Sequence, residues 1–567
     1  MANEIHYSDK VWVKKYDEGV PENIDYEEIC MPDYLEKAAE EFPNNTALTF
    51  QGYRISYGRL KDMVDRLATC LTDFGLKKGE RVAILLPNII HCVAAYYATL
   101  KLGAVTVMGN PLSSDKELEY QFNDSGAKVL ITIDLVAKRM IELRSKTLIK
   151  QIIYGSIGDY LPFPVKWLFP LVGRKKGLAA RVDYAPEVYK WKEIIALSRP
   201  NPPKIEVTFE DIAMLQYTGG TTGVSKGVIL THANISKQVQ QLITWLHRFK
   251  KKRGSERNFG ALPFFHVFGL SCSMNYGIAM AWENILIPKP QPAPLVEAIT
   301  KYRPTLAPLV PTMFIGILNH PKVDSIDMRG IKGCFSGSAP LPIEVMKKFE
   351  EKTGSTIVEG FGMTESSPVT HVNPFDGERK PGSIGLPVPD TECRIVDIED
   401  KDREVPVGET GELTVKGPQV MKGYWNMPEE TAKVLRNGWL YTGDIARMDE
   451  DGYFYIVDRL KDMVLSGGLN VYPREIDEVF YEYPKIEDAC AIGIPHETRG
   501  ESIKVFVVLK QGEEASVEEL MEYCKTKLAT YKLPVEIEFR KELPKSSVGK
   551  VLRKDLRAEE MKKRKGQ

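Results

Sequence analysis

Short apolar runs alternate with amphipathic segments along the first part of the chain. The runs at residues 82–86, 104–108 and 128–132 have the length and composition of buried strands. Apolar positions at helical spacing follow Gly58, fill residues 92–102 and resume near Ser114. Short strands that alternate with helices indicate a parallel α/β layer, so an α/β fold is predicted for the larger part of the chain.

A different pattern begins after residue 462. A helix at 475–483, strands at 489–494 and 503–509, and a helix near 517–528 predict a small α+β unit. About a hundred residues suffice for a domain that folds by itself. We therefore predict a large N-terminal domain at 1–457, a hinge at 458–462 and a small, mobile C-terminal domain at 463–567.

Residues 160–176 interrupt this alternation. Large aromatic side chains, several prolines and the basic residues Arg174, Lys175 and Lys176 lie together there. The prolines argue against a long helix, and an ordered loop packed on the domain is the first interpretation. The alternative is a membrane-interface patch, with aromatic side chains at the headgroups and cations on anionic lipid.

Composition and charge narrow the classes of protein. The chain has 567 residues and a formal net charge of -1, which argues against nucleic acid as the main partner. The eight cysteines form no CxxC pair, so reduced structural thiols in a cytoplasmic protein are expected. The N-terminus lacks the features of a secretory signal, and no apolar run reaches the roughly 18 residues of a spanning helix. The predicted location is cytoplasmic, and peripheral contact with the inner face of the membrane is the alternative.

A Gly- and hydroxyl-rich loop lies between two apolar runs, at 212–215 and 228–230. Glycines let backbone N–H groups approach a phosphate, hydroxyls donate further bonds, and a lysine adds positive charge. The loop lacks the Walker A spacing, and a plain surface turn is the alternative. The candidate phosphate-binding residues are Tyr217, Thr218, Gly219, Gly220, Thr221, Thr222, Gly223, Ser225 and Lys226.

Further motifs follow in a fixed order: 360–365 (GFGMTE), 441–444 (YTGD), 458–462 (DRLKD) and 544–550 (PKSSVGK). With the loop above, they resemble the adenylate-forming superfamily of acyl-CoA synthetases, luciferases and peptide-synthetase adenylation domains. The resemblance runs from about Tyr34 to Arg557 and is most like bacterial and archaeal long-chain fatty acyl-CoA synthetases. It implies that the segments around 411–417 and 423–425 belong to a β-rich subdomain of the large domain.

The resemblance also implies roles for individual residues. Lys550 would be the adenylation lysine, Glu365 with Thr218 would hold Mg²⁺, and His266 would position the acyl substrate without acting as a general base. Phe361 replaces the more common Tyr, which puts one hydroxyl contact in doubt. Thr364 completes the catalytic set, and the remaining nucleotide or CoA positions are Gly337, Ser338, Ala339, Pro340, Glu359, Gly360, Phe361, Gly362, Met363, Asp444, Arg459, Lys461, Gly467 and Gly468.

The function implied is ligation of a medium- or long-chain fatty acid to coenzyme A through acyl-AMP, with ATP, Mg²⁺ and CoA as cofactors. The aromatic insertion near Trp167 and Gly219 in the loop favour a fatty acid. An aryl or short-chain acid is the alternative substrate. A peptide-synthetase subunit, a luciferase-like oxygenase and a non-catalytic lipid- or nucleotide-binding paralogue are further alternatives. Weak peripheral membrane contact and a homodimer are the macromolecular associations considered.

Overall fold

The computed structural model describes residues 5–218, 225–466, 469–496, 499–546 and 549–565. The chain divides into two compact units. The larger unit comprises Lys15–Thr391 and Lys416–Gly438, and the smaller unit comprises Met1–Lys14, Glu392–Val415 and Trp439–Gln567. The α/β class predicted from the sequence is confirmed, whereas the predicted hinge at 458–462 stays a prediction.

The predicted parallel layer is present in the larger unit. Strand Arg81–Ile84 pairs in parallel with Val105–Met108 and Val129–Ile133, since helices between the strands return the chain across the sheet. Strand Ile212–Thr218 joins in parallel and then reverses into an antiparallel partner. In spatial order the sheet contains Gly423–Tyr424, Lys226–Thr231, Ile212–Thr218, Val105–Met108, Arg81–Ile84, Val129–Ile133, Gln151–Gly155 and Val188–Lys190.

A second sheet of the larger unit carries two of the sequence motifs. Strand Gly333–Ser336 lies parallel to Thr356–Gly362, so their carboxyl ends meet at one edge. In spatial order this sheet contains Leu386–Pro387, Val369–Val372, Thr356–Gly362, Gly333–Ser336, Leu306–Leu309, Arg257–Gly260, Glu283–Leu286, Thr46–Phe50 and Tyr53–Ser56. Leu435–Arg436 is a further short strand in this unit.

Helices cover these sheets. Helix Ile90–Lys101 is apolar almost all round and is buried along nearly its whole length, as its sequence predicts. The α-helices of the larger unit are Met31–Glu41, Tyr57–Asp73, Ile90–Lys101, Asp115–Ser125, Asp134–Leu143, Val165–Lys175, Trp191–Leu197, His232–Trp245, His247–Lys250, Val267–Gly269, Tyr276–Ala279, Pro292–Tyr302, Pro311–Leu318, Ile343–Thr353 and Pro428–Val434.

The smaller unit contains the predicted α+β region. Helices Pro473–Tyr481, Val517–Lys527 and Arg553–Lys565 accompany a sheet that consists of Leu469–Val471, Val464–Ser466, Gly500–Leu509, Ile486–His496 and Glu536–Phe539. Another sheet of this unit contains Glu392–Val396, Gly411–Lys416, Trp439–Met448 and Phe454–Arg459. Residues 411–415 of the predicted β-rich region therefore belong to the smaller unit. Residues 423–425 belong to the larger unit, in which Gly423–Tyr424 pairs with Lys226–Thr231.

The packed loop predicted for 160–176 is wrong. Residues Val165–Lys175 form a helix with Pro170 inside it. Pro170 removes one backbone hydrogen bond from the helix. The residues on either side of it favour helix, so the helix continues past the proline. Trp167 is 78% exposed and Leu171 is 74% exposed, so this helix leaves most of its large apolar side chains in solvent. None of the described helices is both long and apolar enough to cross a bilayer.

Candidate functional site

The candidate phosphate loop begins where two antiparallel strands meet. Thr218 is opposite Lys226 in the strand register, and the Ser225 hydroxyl donates to the Thr218 carbonyl at 2.6 Å. Together these contacts close the neck of the loop. The predicted phosphate contacts at Gly219, Gly220, Thr221, Thr222 and Gly223 lie outside the described residues. Tyr217 donates its hydroxyl to Asp124 at 2.6 Å, which ties the strand to a neighbouring helix.

Lys226 is engaged by the protein itself. Its Nζ lies 2.5 Å from the Glu430 carboxylate and 4.9 Å from the centroid of the Tyr424 ring. Hydrogen bonds from Lys226 and then from Lys433 lower the pKa of the Glu430 carboxyl to about 2. The Lys226 side chain is only 15% exposed. Its charge is therefore compensated within the larger unit. The sequence pattern did not reveal the contacts with Glu430 and Tyr424 that compensate it.

Glu365 lies directly after strand Thr356–Gly362, in a short 3₁₀ turn. The Tyr424 hydroxyl donates to its carboxylate at 2.8 Å, and the Met421 amide donates to its backbone carbonyl at 2.8 Å. Glu365 stays half-buried. With the hydroxyls of Thr218 and Thr364, this carboxylate supplies the hard oxygen donors that Mg²⁺ prefers, so the residues present fit the ion.

Small residues end the neighbouring strand. A Cβ at Gly337 would lie 3.1 Å from the Phe268 ring and 3.4 Å from the Gly360 carbonyl, so glycine allows the three segments to approach. Ser338 has a φ of 70°, which turns the chain away from the strand. Ser338 and Pro340 are exposed, and Ala339 is half-buried. The predicted base-binding segments are thus adjacent.

Two residues of the motif at 359–363 hold the local structure in place. The Glu359 carboxylate accepts from the Leu341 amide at 3.1 Å and from the Gly382 amide at 3.4 Å, which fixes the neighbouring loops. A Cβ at Gly362 would lie 2.0 Å from the Pro368 carbonyl, so only glycine fits.

Phe361 is half-buried and packs edge-on against His371, with 6.1 Å between ring centroids. Gly360 and Met363 are half-buried as well.

His266 caps a short helix. Its Nδ1 accepts from the Phe268 amide at 3.3 Å. Burial lowers the pKa of the His266 imidazole to about 4, so the ring is neutral near pH 7. A neutral imidazole that is held in place by the hydrogen bond of a helix cap agrees with a positioning role for this residue.

Two buried amides that sequence reasoning missed hold the segment before His266. The Asn88 side chain donates to the carbonyls of Gly260 and Leu262 at 2.9 and 2.7 Å and accepts from the Phe264 amide. Gln216 donates to the Phe265 carbonyl at 2.9 Å. A polar residue within an otherwise apolar strand, as at Gln216, is the only sequence signal for this support.

In the smaller unit, Asp444 and Arg459 lie opposite each other on paired strands. Arg459 Nε lies 3.1 Å from Asp444 Oδ1. Asp444 Oδ2 is buried and accepts no hydrogen bond from the described residues. A buried acceptor without a donor fits a diol such as the ribose hydroxyls, which would supply the missing bond.

Lys550 belongs to the same cluster. The Arg459 cation, followed by burial, lowers the pKa of the Lys550 ammonium to about 8, and the Asp444 carboxylate opposes this effect. The Arg459 charge is the larger of the two causes, in keeping with a residue that as a whole stays exposed to solvent. Ser546 closes the turn, because its amide donates to the Lys550 carbonyl at 2.8 Å and its hydroxyl accepts from the Lys550 amide at 3.2 Å.

The predicted hinge contacts the C-terminal helix. Lys461 lies in the 3₁₀ turn Leu460–Asp462, and its carbonyl accepts from Arg557 at 3.3 Å. Arg553 pairs with Asp477 and lies 3.5 Å from Asp458. The predicted CoA contacts at Gly467 and Gly468 lie outside the described residues, between strands Val464–Ser466 and Leu469–Val471.

One carboxylate–histidine group was not predicted. Asp17, His247 and Asp376 lie close enough for a metal ion. However, Asp17 already accepts backbone amides of residues 375–377, and Arg248 lies 2.6 Å from the Asp376 carboxylate. These donors satisfy the oxygens that an ion would need, so the group stabilises a loop.

Comparison with protein families defines the class of the protein. A model of the AMP-binding enzymes matches residues 35–425, and a model of the AMP-binding enzyme C-terminal domain matches residues 475–550. The chain therefore belongs to the AMP-binding enzyme family. The long-chain-fatty-acid–CoA ligase of Bacillus subtilis (strain 168) is 45% identical over 556 residues, which are 98% of each chain. The enzyme of that name from Escherichia coli O6:H1 is 38% identical, over 97% of this chain and 98% of the relative.

Solved structures agree with this assignment. ATP-bound MatB from Rhodopseudomonas palustris superposes with a TM-score of 0.81 at 28% identity, over 94% of this chain and 99% of that chain. An anthranilate CoA ligase in complex with anthranoyl-AMP superposes with a TM-score of 0.83 at 25% identity, over 98% and 99%. The predicted superfamily is confirmed.

Proposed function

We propose that the protein ligates a medium- or long-chain fatty acid to coenzyme A, with ATP cleaved to AMP and pyrophosphate. The observation that carries this proposal is the similarity, over nearly the full length, to relatives named long-chain-fatty-acid–CoA ligase. Lys550, Glu365 and Asp444, which a non-catalytic paralogue would be expected to lose, are all present. An aryl acid is the second candidate, since a feruloyl-CoA synthase of Amycolatopsis sp is 34% identical over 522 residues.

The first half-reaction joins the fatty acid to AMP. The substrate carboxylate is itself the nucleophile, so it attacks the α-phosphate and the bond to the departing pyrophosphate breaks. Such a step needs alignment and stabilised charge more than a protein nucleophile. Asp444 and Arg459 would hold the ribose, Lys550 would place a cation on the carboxylate and α-phosphate, and His266 would position the acyl chain. Mg²⁺ held by Glu365 and the threonine hydroxyls would neutralise phosphate charge.

The second half-reaction transfers the acyl group to sulfur. The CoA thiol attacks the carbonyl of acyl-AMP, the thioester forms and AMP leaves with the electron pair of the broken bond. Lys550 is not needed at this step. The motion that we infer is a rotation of the small domain about the turn at Lys461, which removes Lys550 and brings the face that carries Gly467 and Gly468 toward the acyl-AMP.

A pyrophosphate-release assay with purified protein tests this function. Acids from acetate to stearate, together with benzoate and ferulate, should be compared at equal concentration. Release should be greatest with acids of roughly eight or more carbons, because each buried methylene contributes about 0.8 kcal/mol. An optimum at acetate or at an aryl acid would contradict the fatty-acid proposal, and no release with any acid would favour the non-catalytic alternative.

We also propose that helix Val165–Lys175 contacts an anionic membrane surface. Trp167, Leu168 and Leu171 are 78%, 58% and 74% exposed and share one helical face. Phe169 lies on another face, where its ring packs against Gly158 and Gly173, so the helix can expose its apolar face while remaining attached. The exposed cations Arg174, Lys175 and Lys176 would meet anionic headgroups.

Vesicle co-sedimentation of the full chain tests this contact. A variant with Trp167, Leu168 and Leu171 changed to Ser should lose binding to anionic vesicles and keep its activity on a short soluble fatty acid. The matched control is Leu112→Ser with Leu197→Ser, since these leucines are 86% and 84% exposed elsewhere. Unchanged vesicle binding would contradict the proposal. A dimer that forms without vesicles and is lost in the triple variant would instead assign the face to a homodimer.

A further inference from the structure

The Lys226 contacts continue to Glu365 through one side chain. Tyr424 lies on the two-residue strand Gly423–Tyr424, which pairs antiparallel with the strand that begins at Lys226. Its hydroxyl donates to Glu365, and its ring lies beneath the Lys226 ammonium. Tyr424 therefore contacts both the candidate metal ligand and the residue that closes the phosphate loop.

The partner of Lys226 is also fixed to this strand. Glu430 belongs to helix Pro428–Val434. In the same helix the Thr431 hydroxyl accepts from the Tyr424 amide at 2.9 Å and donates to the Met427 carbonyl at 2.9 Å. These bonds tie the helix to the strand, and Glu430 holds Lys226 against the Tyr424 ring.

This arrangement limits what Lys226 can do. A carboxylate at 2.5 Å and an aromatic face already satisfy the ammonium, and a phosphate would have to displace the carboxylate to reach it. Glu365, in contrast, keeps its orientation through the Tyr424 hydroxyl. Partners that orient a metal ligand in this way commonly change metal affinity when they are removed.

We propose that Tyr424 and Glu430 are positioning residues that, with Lys226, form a clamp between the phosphate loop and the metal ligand Glu365. This inference rests on the proposed site, because Glu365 is the metal ligand only if that assignment is correct. The clamp sets the distance from the loop neck to the Glu365 carboxylate. Nucleotide complexed with a divalent ion should depend on it, while metal-free nucleotide should not.

The first experiment removes the hydroxyl of Tyr424. Equilibrium binding of Mn²⁺–ATP and of metal-free ATP is measured on the full-length Tyr424→Phe variant, without fatty acid or CoA. We expect Mn²⁺–ATP to bind about 10-fold more weakly, with metal-free ATP unchanged. The matched control is Tyr57→Phe, which removes another buried hydroxyl, one that donates to the Trp282 carbonyl at 2.6 Å. Equal Mn²⁺–ATP affinity in Tyr424→Phe and the wild type would overturn the proposal.

The second experiment exchanges the two charges. Lys226→Glu and Glu430→Lys should each weaken Mn²⁺–ATP binding, and the double variant should recover most of the lost affinity because the ion pair is restored in reverse. Lys433→Gln removes the exposed cation on the other side of Glu430 and should leave the affinity unchanged. If the double variant binds as weakly as Lys226→Glu, Lys226 contacts phosphate directly and the clamp is wrong.

These measurements separate the clamp from the activity. The substrate screen can fail while nucleotide binding still depends on Tyr424, and the clamp can fail while the ligase reaction proceeds. Thermal unfolding of the ligand-free variants supplies the structural comparison. A loss of stability in Tyr424→Phe equal to that in Tyr57→Phe, with a loss of Mn²⁺–ATP affinity only in the former, is the result expected of a positioning residue.

Discussion

Two lysines were predicted to act on the phosphates of ATP, and the structure places them in opposite electrostatic settings. Lys226 lies against a carboxylate and an aromatic face, which satisfy its charge. Lys550 lies beside the Arg459 cation, which lowers the pKa of its ammonium to about 8. A satisfied lysine fixes structure, whereas a lysine near a like charge gains most when an anion arrives. The same residue type thus lies in two different electrostatic environments, and we expect the two lysines to differ in function.

The largest effect should come from removing Lys550. Lys550→Ala should slow acyl-AMP formation by about 100- to 1000-fold, the cost of one lost preorganised donor. Thioester formation from chemically prepared acyl-AMP should survive, because that step does not use the lysine. Rapid-quench assays of each half-reaction measure both values, with the exposed Lys541→Ala as a control. Equal losses in both half-reactions would show that Lys550 is not specific to adenylation.

A substitution at the predicted hinge should give the opposite result. Lys461→Pro fixes φ near about -65° and removes a backbone N–H, so rotation about this turn should become difficult. Acyl-AMP should still form, while its transfer to CoA should slow by about 100-fold, as expected when reacting groups are misplaced. Lys461→Ala is the matched control for loss of the side chain alone. If proline and alanine give the same rates, residues 458–462 are not the hinge.

The pH dependence of adenylation should reveal the charge state of Lys550. The active form of Lys550 is the cation, so activity should be present below pH 8 and fall as the pH rises through its pKa of about 8. Arg459→Gln removes the main cause of the lowering, so the alkaline limb should move toward the ordinary lysine pKa of about 10.4 even if the rate itself drops. The measurement is a pH profile of pyrophosphate release. An unmoved limb would mean that another group titrates.

The smallest effect should follow from neutralising the exposed partner of Glu430. Lys433→Gln should change the KM for ATP less than twofold, because exposed ion pairs contribute only about 0 to 1 kcal/mol. Steady-state kinetics at saturating fatty acid and CoA measure it. A large rise in KM would show that Lys433, although exposed, contributes to ATP binding.

Much of the fold was predictable because local patterns are strong in its core. The strand at Val129–Ile133 and the buried helix Ile90–Lys101 are apolar enough to be identified alone. The helix at Val165–Lys175 was not predicted, since prolines weaken the helical signal and its apolar face is largely exposed to solvent. Glu365 and its turn lie within one motif, so the family resemblance alone was enough to predict a role for them.

Spacing and composition along the chain were enough to predict the α/β class, the order of the motifs and the residue types at the candidate site. Which of the charged side chains are compensated became clear only from the folded chain. Lys226 and Glu430 are 204 residues apart and Asp444 and Lys550 are separated by 106, and no local pattern encodes such pairs. Electrostatic energy depends on distance in space and on burial, so the different environments of the two lysines arise only once the chain is folded.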